Sequence, residues 1–429
     1  MDSISYTPRL SDAFRERLFS QLAALIVIGP RGAGKTTSSA RQAQTVVRLD
    51  REAEAAAFRA DPDVALRGLA EPVLLDEWQE APGVLGAVRR AVDADPRAGR
   101  FLLTGSVRAE AERESWPGTG RLIRVAMHPM TVREQLGLLD GPGFIDRLVA
   151  GQTPATPSSP PDLRDYLEVA LRSGFPVPAL RLSGEPRRAW LESYVEDLLT
   201  HDVEQLEEPT TKRRDADRLR RYFEAYALNS AGVADHRTIY EAAGVSKATG
   251  VAYEALLSAL LICEQVPAWG ANRLKRVARR PKRYLVDAAL IGAALRLDER
   301  GVLADGDLLG RVLETFVAAQ LRPELPTSES RPRLHHLRTE RGRHEVDLMA
   351  ELPEGQVIGI EVKATASPHE SDGKHLAWLR GELGEDFLRG VVLHTGPRTF
   401  SLGERIVAAP ICSLWEPEWS ATAPAVARA

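Results

Sequence analysis

A glycine-rich segment near the start of the chain has the residue types and the spacing that bind phosphate groups. Residues 29–36 read Gly-Pro-Arg-Gly-Ala-Gly-Lys-Thr and match the pattern G-x-x-x-x-G-K-[ST] at every fixed position. Glycines let backbone N–H groups turn toward phosphate oxygens without side-chain clashes. We therefore expect Lys35 to reach the β- and γ-phosphates of ATP and the Thr36 hydroxyl to bind Mg²⁺. The predicted nucleotide-binding residues are Gly29, Pro30, Arg31, Gly32, Ala33, Gly34, Lys35, Thr36 and Thr37.

The segments on either side of this loop favour a phosphate site over a chance match. The apolar run Ala24–Ile28 precedes the loop, as a buried strand would, and residues 37–46 have a pattern that predicts a helix. A strand, then the loop, then a helix is the context that the pattern requires.

Two adjacent acids follow a second apolar run, and a bound Mg²⁺ needs such a carboxylate. Residues 73–77 read Val-Leu-Leu-Asp-Glu. Elsewhere such a pair is usually the start of an exposed loop, but after a phosphate-binding loop it predicts that Asp76 holds Mg²⁺, directly or through water. Glu77 is then expected to polarise the attacking water, which predicts hydrolysis of ATP as well as binding.

Two further segments carry candidate catalytic groups. Residues 101–106 read Phe-Leu-Leu-Thr-Gly-Ser, and Thr104 or Ser106 is expected to contact the γ-phosphate or to position the water, with turn capping as the alternative. Arg121, with Arg124 nearby, offers a cation for transition-state charge, within the chain or from a neighbouring subunit of a homo-oligomer. The alternative for Arg121 is an ordinary surface charge.

A parallel sheet is needed to hold these groups at one edge, and the first 150 residues have the pattern of one. Short apolar runs such as 72–75 and 100–103 alternate with helical spacing such as that of residues 83–93. We predict an α/β domain over residues 1–150. A linker is predicted at 151–161, where four prolines interrupt regular structure.

The middle of the chain, residues 162–295, has a mainly helical pattern. Thr238–Ser246 contains a helix and a glycine turn, and a second helix is predicted to begin at Lys247, after a serine cap. This order is typical of a helix-turn-helix.

A second set of chemically capable residues lies in the last predicted domain, residues 305–415, whose pattern is α+β. Side chains alternate along a strand, so Glu345 shares a face with Asp347, and Glu361 with Lys363. A hairpin can bring these faces together, and two carboxylates with a lysine can hold Mg²⁺ and orient water against a phosphodiester. The alternative is an exposed hairpin with charged residues. The candidate nuclease-like site comprises Glu314, Asp347, Glu361 and Lys363.

Charge is distributed unevenly along the chain. Residues 211–283 carry a net charge of +8, so the remainder carries −12 of the total of −4. A basic segment inside an acidic protein predicts either a surface that contacts the phosphates of DNA or RNA, or a helix face that balances acidic neighbours. Both interpretations stay open from composition alone.

Length and composition set the class of protein. A chain of 429 residues with 44% hydrophobic and 27% charged residues is expected to fold into two or three domains. There is no run of about 18 apolar residues and no secretory pattern in residues 1–10, so we expect no membrane association and a cytoplasmic location. Cys263 and Cys412 lack metal-ligand spacing and are predicted to be free thiols in a core.

Taken together, these motifs resemble those of bacterial and archaeal ATPases that have an AAA-type N-terminal domain and a DUF4143 C-terminal region. The resemblance extends over nearly the whole chain. It rests on Gly29–Thr36, Val73–Gln79, Leu102–Ser106, His128–Glu134, Ser173–Pro176, Tyr284–Asp287, Leu313–Val317, Glu345–Asp347 and Ile360–Lys363. The chain departs from the family at Ala288 and Ala289, where a glycine usually follows the aspartate, and in its proline-rich stretch.

The resemblance implies a fold for each part of the chain. It implies an AAA+-like P-loop ATPase domain with a parallel sheet, a helical, winged-helix-like middle, and a C-terminal domain similar to the PD-(D/E)xK nucleases and restriction endonucleases. The function expected from it is Mg²⁺-dependent ATP hydrolysis coupled to a nuclease-like domain that acts on or near nucleic acid. The alternative is a nucleotide-controlled binding or signalling switch whose nuclease-like domain is inactive.

Overall fold

The computed structural model describes residues 6–105, 120–202, 216–233, 235–270, 280–339 and 342–420. The chain forms two compact units. The first comprises residues 1–130 with two short later segments, 175–177 and 255–262, and the second comprises the rest of the chain.

The first unit contains a five-stranded parallel sheet. Its strands are β1 (Ala24–Ile28), β2 (Thr45–Arg48), β3 (Val73–Asp76), β4 (Phe101–Gly105) and β5 (Leu122–Ala126). They lie in the order β2-β3-β4-β1-β5, and every neighbouring pair is parallel. The helices are α1 (Leu10–Phe19), α2 (Lys35–Ala40), α3 (Glu52–Ala60), α4 (Pro62–Leu66) and α5 (Gly83–Ala94), with one 3₁₀ turn at Trp78–Glu80.

The apolar runs read from the sequence form the centre of this sheet. β1, β3 and β4 are almost completely buried, and α5 contributes Val84, Leu85 and Val88 to the same core. The predicted mixed α/β fold with a parallel sheet is therefore confirmed for this unit. The predicted helix over residues 37–46 is wrong in its second half, because α2 ends at Ala40 and Thr45–Arg48 forms β2. The β-branched residues Thr45, Val46 and Val47 fit a strand better than a helix.

The second unit begins with helices and ends with a mixed sheet. Its helices, two of which also run through the short segments of the first unit, are α6 (Val132–Leu136), α7 (Phe144–Val149), α8 (Leu163–Arg172), α9 (Pro176–Leu180), α10 (Gly184–Asp197), α11 (Ala216–Leu228), α12 (His236–Ala242), α13 (Lys247–Ala259), α14 (Ala289–Leu295), α15 (Glu299–Leu303), α16 (Gly306–Leu321) and α17 (Lys374–Leu383). A π-helical turn covers Leu198–Asp202, and 3₁₀ turns cover Arg322–Thr327, Glu370–Gly373, Gly384–Asp386 and Ile411–Leu414.

The strands of the second unit form one large sheet and two short ladders. They are β6 (Thr153–Pro154), β7 (Cys263–Val266), β8 (Lys282–Leu285), β9 (Arg333–Arg338), β10 (Glu345–Glu351), β11 (Val357–Lys363), β12 (Phe387–His394), β13 (Phe400–Gly403), β14 (Ile406–Pro410) and β15 (Trp419–Ser420). The large sheet has the order β13-β14-β12-β11-β10-β9. Its β9-β10-β11 part is antiparallel, whereas β11-β12-β14 is parallel. Helix α17 packs on this sheet through Leu376 and Leu379, in a core with Val346, Met349 and Phe387.

The proline-rich stretch predicted as an interdomain linker lies inside the second unit. The change of unit along the chain falls between Met130 and Thr131, before this stretch. Within it, β6 pairs with β15 in an antiparallel ladder, and the Thr153 hydroxyl accepts a hydrogen bond from Arg389 at 2.9 Å. A two-residue edge ladder leaves room for the prolines beside it, because proline is tolerated where no ladder donor is needed.

Two predictions from composition can be compared with this structure. Cys263 and Cys412 are both buried and unpaired, as expected. In the part of the chain that the structure describes, no helix is both long enough and apolar enough to cross a bilayer.

Candidate functional site

The phosphate-binding loop lies between β1 and α2. Gly34 has a φ of +98°, a left-handed conformation that side chains rarely adopt. A Cβ at Gly29 would lie 2.1 Å from the carbonyl oxygen of Met127, so no larger residue fits there. The glycines at both ends of the motif are therefore required by the backbone itself.

Lys35 is buried at the start of α2 and points back into the loop. Its ammonium donates to the carbonyl oxygens of Gly29 at 2.9 Å and Pro30 at 3.0 Å. Burial lowers the pKa of Lys35 to about 8, against the opposing effect of the Glu77 and Asp76 carboxylates. A partly desolvated cation thus lies within the loop at the start of α2, which suits a phosphate chain.

Asp76, at the end of β3, accepts hydrogen bonds from two hydroxyl groups. Its Oδ1 accepts a hydrogen bond from Thr36 at 2.7 Å and another from Thr104 at 2.5 Å. Thr104 is level with Asp76 in the adjacent strand β4, which lies between β3 and β1. These groups fit Mg²⁺, because a threonine hydroxyl and a carboxylate are hard oxygen ligands and substrate phosphates supply the others.

Glu77 follows β3 directly and has an unusual backbone. Its φ is +51° and its ψ is +52°, so a residue with a Cβ holds the left-handed conformation. The Glu77 carboxylate accepts a hydrogen bond from the Gln79 amide at 2.5 Å. A strained backbone at a residue with an acidic side chain is typical of functional sites.

Arg9 is a residue of this site that the sequence reasoning missed. Its guanidinium is buried and donates from Nη1 to the carbonyl oxygen of Ala33 at 2.8 Å and from Nη2 to that of His128 at 2.7 Å. The side chain therefore joins the phosphate-binding loop to the segment after β5. A single arginine ahead of α1 carries no motif, so no sequence signal identified it.

A second buried arginine, Arg15, links α1 to α2 through hydrogen bonds. Arg15 donates to Ser38 Oγ at 2.7 Å and pairs with Asp12 at 3.0 Å, while the Tyr6 hydroxyl also donates to Asp12. Burial raises the pKa of Tyr6 to about 12, so this hydroxyl stays protonated at neutral pH. The network fixes the helix whose N-terminus faces the phosphate-binding loop.

The two remaining candidates of the first unit have different outcomes. Ser106 lies outside the described residues. Arg121 precedes β5 and pairs with Asp93 at 2.9 Å. Leu122 is level with Ala24, the first residue of β1, whereas the phosphate-binding loop follows its last residue, Ile28. Arg121 is therefore at the opposite edge of the sheet, about 15 Å away along the strands, and does not belong to the phosphate site of its own chain.

The second predicted site lies in the second unit, in a cleft of about 450 Å³ beside α16 and the β10-β11 ladder. Strands β10 and β11 are antiparallel, and the Leu348–Ile360 pair brings Asp347 level with Glu361. The backbone N–H of Val362 donates to Asp347 Oδ2 at 3.0 Å. The hairpin that the sequence predicted is present, and it brings the two carboxylates together.

Lys282, which the sequence reasoning did not include in this site, occupies its centre. Its ammonium lies 2.6 Å from Glu314 Oε1 and 3.2 Å from Asp347 Oδ1. The Tyr284 hydroxyl donates to the same Glu314 oxygen at 2.6 Å. The neighbouring Lys363 pairs with Glu361 Oε2 at 2.7 Å.

The burial of these charges shifts their pKa values. Burial raises the pKa of Glu314 to about 7 and that of Glu361 to about 8, although lysines oppose both shifts. Burial acts in the same direction on Asp347, but there the ammonium groups of Lys282 and Lys363 outweigh it and hold the pKa below its usual range.

The expected Mg²⁺ does not fit this cleft as the side chains stand. Two lysines already occupy oxygens of all three carboxylates, and the described residues contain no group of three His, Cys, Asp or Glu side chains arranged for a metal. The four predicted residues are thus brought together, but as an ion-pair cluster.

The described part of the basic middle segment forms three helices, α11, α12 and α13, followed by the strands β7 and β8. Helix α12, a turn at Gly244 and helix α13 follow each other as predicted, and β7 pairs with β8 in an antiparallel ladder. Of the eight lysines and arginines described between residues 216 and 283, at least five are paired with carboxylates. Arg273, Lys275, Arg276 and Arg279 lie outside the described residues.

Asp287 of the Tyr284–Asp287 motif has a structural role. It is buried and accepts hydrogen bonds from the Ser173 hydroxyl at 2.6 Å, the Gly174 N–H at 2.7 Å and the Ala289 N–H at 2.9 Å. Two segments more than 100 residues apart are joined in this way. The alanine that departs from the family pattern, Ala289, still supplies its backbone donor.

Comparison with known proteins divides the chain into three matched regions. Residues 21–136 match an AAA domain, residues 163–301 match a domain of unknown function (DUF8612), and residues 309–414 match another (DUF4143). The chain is 28% identical over 400 residues to the uncharacterized protein Rv2008c of Mycobacterium tuberculosis and, equally, to the uncharacterized protein Mb2031c of Mycobacterium bovis. Each alignment covers 92% of this chain and 81% of the relative. The AAA and DUF4143 resemblance is thereby confirmed.

Proposed function

Because the chain combines an AAA domain with a DUF4143 domain, we propose that it is a Mg²⁺-dependent ATPase whose nucleotide state controls its C-terminal region. The observation that carries the ATPase part is the convergence of the Thr36 and Thr104 hydroxyls on one oxygen of Asp76. A bound Mg²⁺ would supply charge neutralisation for the phosphates.

Each residue of the phosphate site has a role in this proposal. Residues 29–37, apart from Pro30, which has no backbone N–H, surround the phosphate chain with backbone N–H groups, and Lys35 binds the β- and γ-phosphate oxygens. Thr36 and Asp76 hold the metal. Glu77 accepts the proton of the attacking water as the γ-phosphate bond breaks, and Thr104 orients the water or the γ-phosphate.

Steady-state ATP hydrolysis by point variants tests this proposal. We expect Lys35→Ala and Glu77→Gln each to lower kcat at least about 100-fold, which corresponds to about 3 kcal/mol. Glu77→Gln retains ATP affinity, because the amide has the size of the carboxylate but cannot accept the proton. Glu80→Gln, the same change at a half-buried acid three residues along, serves as the control and keeps full activity. Hydrolysis at the wild-type rate in Lys35→Ala refutes the proposal.

The C-terminal region has two candidate roles. The first is cleavage of nucleic acid by a domain of the PD-(D/E)xK type, using Glu314, Asp347, Glu361 and Lys363. The second is a binding switch controlled by ATP, in which the nuclease-like domain does not cleave. The pairing of Lys282 with Glu314 and Asp347 favours the switch, because it engages the carboxylates that cleavage would need.

A nicking assay separates these roles. Plasmid and linear DNA are incubated with the protein and Mg²⁺ or Mn²⁺, with and without ATP. Cleavage that disappears in Asp347→Ala and Glu361→Ala supports the nuclease. No cleavage, together with ATP-dependent assembly in light scattering, supports the switch.

We also propose that the middle region is a winged-helix-like module that contacts nucleic acid. The proposal is supported by the order α12, turn, α13 and the β7-β8 hairpin, and by Lys247 at the start of α13. Fluorescence anisotropy with DNA and RNA duplexes at increasing salt is the test, since phosphate contacts weaken steeply with salt. Lys247→Ala is expected to weaken binding by severalfold, and no salt-dependent binding by the wild type refutes the proposal.

Arg121 retains one proposed role, as an arginine supplied to a neighbouring subunit. Its position at the sheet edge away from its own phosphate site makes a homo-oligomer necessary for this role. Mixing Arg121→Ala with Lys35→Ala protein tests it. Partial ATPase activity in the mixture, from subunits that retain Lys35 beside partners that retain Arg121, supports it, and an active monomer refutes it.

A further inference from the structure

The cleft beside α16 contains one buried lysine that faces a buried carboxylate and a largely buried one. The Lys282 side chain is only 2% exposed, and those of Glu314 and Asp347 are 11% and 15% exposed. These groups belong to strand β8, helix α16 and strand β10, three elements that meet at the cleft. The lysine is therefore held by the fold and does not reach in from the surface.

The position of its ammonium is the position that a bridging metal would need. Nζ lies between Glu314 Oε1, at 2.6 Å, and Asp347 Oδ1, at 3.2 Å. Mg²⁺ binds oxygen at about 2.1 Å, so an ion on either of these oxygens would lie within about 5 Å of Nζ. Two cations that close together in a poorly solvated cleft repel each other strongly.

The balance of charge in the cleft also argues against a bound metal ion. Lys282 and Lys363 face three carboxylates, so two of the three negative charges in the cluster are balanced without any added ion. The other titratable or charged groups that line the cleft are Asp307, Arg311, Arg338 and Glu345, and they contribute two charges of each sign. Arg311 pairs with Asp307 at 2.8 Å and Arg338 with Glu345 at 3.6 Å, so this outer set is balanced too.

We propose that Lys282 is a permanent internal cation that takes the place of a divalent metal between Glu314 and Asp347, so that this cleft works without a metal ion. The proposal concerns a site separate from the ATP site and does not depend on ATP hydrolysis. It makes the region a nuclease-like scaffold with a built-in counterion, and it predicts that a metal site can be created by removing one ammonium group.

The first experiment compares Mn²⁺ binding by the nucleotide-free full chain with binding by Asp347→Asn, using electron paramagnetic resonance to count bound ions. We expect the same number of bound ions in both, because the wild-type cleft takes none. One Mn²⁺ that is bound by the wild type and lost in Asp347→Asn overturns the proposal. This comparison does not require any change at Lys282.

The second experiment tests whether removing the Lys282 ammonium creates a metal site in the cleft. We expect Lys282→Met to gain one Mn²⁺ that is absent from the wild type, with an affinity at least tenfold above that of any nonspecific ion, and to lose it again when Asp347→Asn is added. Lys282→Arg retains the cation and should gain no ion. Lys374→Met, at an exposed lysine on α17, is the matched control for losing a lysine from the same region.

Thermal unfolding gives an independent readout of the created site. An ion that binds only the folded state raises the melting temperature, so Mn²⁺ should stabilise Lys282→Met but leave the wild type and Lys374→Met unchanged. A folded Lys282→Met protein that gains neither an ion nor thermal stability refutes the proposal. If that variant does not fold, the comparison of the wild type with Asp347→Asn still decides the question.

Discussion

Arg9 and Ala33 are joined by a hydrogen bond of 2.8 Å from the arginine Nη1 to the alanine carbonyl oxygen. The bond connects a residue ahead of α1 to the middle of the phosphate-binding loop. Because the same guanidinium also donates to the His128 carbonyl, one charged group links the loop to the segment after β5.

We therefore expect Arg9→Ala to weaken ATP binding without removing a group that touches the phosphates in our proposal. A hydrogen bond from a charged donor contributes about 1.5–3 kcal/mol, so KM for ATP should rise by roughly tenfold or more while kcat changes less. Steady-state kinetics and a binding titration measure this. Arg17→Ala, at an exposed arginine of α1, is the control, and equal effects of the two changes contradict the positioning role.

Thr104 should act on turnover more than on binding. Thr104→Val preserves volume at a fully buried position but removes the hydroxyl that donates to Asp76. We expect kcat to fall about tenfold or more, which corresponds to about 1.4 kcal/mol, while the dissociation constant for ATP changes less than about threefold. The control is Thr45→Val in β2, whose hydroxyl donates to the Ala70 carbonyl away from the loop. A normal kcat in Thr104→Val assigns this threonine to packing alone.

The sequence indicated which side chains meet around Asp76, because the constraints on their positions are local. The loop, the acids after β3 and the threonine at the end of β4 each follow a short apolar run, and parallel strands bring such ends to one edge. The role of Arg9 could not be predicted from the sequence, because a hydrogen bond to a carbonyl 24 residues away depends on tertiary packing and has no spacing rule.

The C-terminal cleft was only half predictable for a related reason. Period-2 alternation identified Asp347 and Glu361 as neighbours across a hairpin, and the register agrees. Lys282 is 65 residues from Asp347, on a strand whose pairing partner is β7, so nothing in the alternation of β10 and β11 indicated that it lies between the acids. The excess of basic residues in the middle segment likewise did not indicate which charges are paired, since pairing partners such as Glu254 and Glu314 lie far along the chain from Arg283 and Lys282.

The left-handed backbone of Glu77 leads to a prediction about stability. Glycine adopts this conformation without the steric cost of about 1–2 kcal/mol that a Cβ causes. Both Glu77→Gly and Glu77→Ala lose the carboxylate and should be inactive, but we expect the glycine variant to have the higher free energy of unfolding, by about 1 kcal/mol. Urea denaturation measures the difference.

The matched pair for this comparison is Glu80→Gly and Glu80→Ala, at a position of the 3₁₀ turn without positive φ. There the order should reverse, because glycine in ordinary helical backbone costs about 0.5–1 kcal/mol relative to alanine. Finding alanine more stable than glycine at both positions means that Glu77 carries no backbone strain.

The raised pKa of Glu361 predicts how the free energy of unfolding changes with pH. Burial raises its pKa in the folded protein to about 8, from 4.5 for an unperturbed glutamate. Between these values the folded state retains a proton that the unfolded state has released, so the free energy of unfolding falls as the pH rises from about 4.5 to 8. Glu361→Gln cannot ionise and should show a smaller loss over this range.

The size of this effect follows from the linkage between proton binding and folding. Each unit of pKa shift corresponds to about 1.4 kcal/mol, so we expect the stability lost between pH 5 and pH 8 to be at least about 1 kcal/mol greater in the wild type than in Glu361→Gln. Urea denaturation at both pH values measures it, with Glu354→Gln, at an exposed acid in the turn between β10 and β11, as the control. Parallel pH profiles for the wild type and Glu361→Gln mean that the Lys363 ammonium keeps Glu361 ionised throughout, and the cluster then carries one more negative charge at neutral pH than the raised pKa implies.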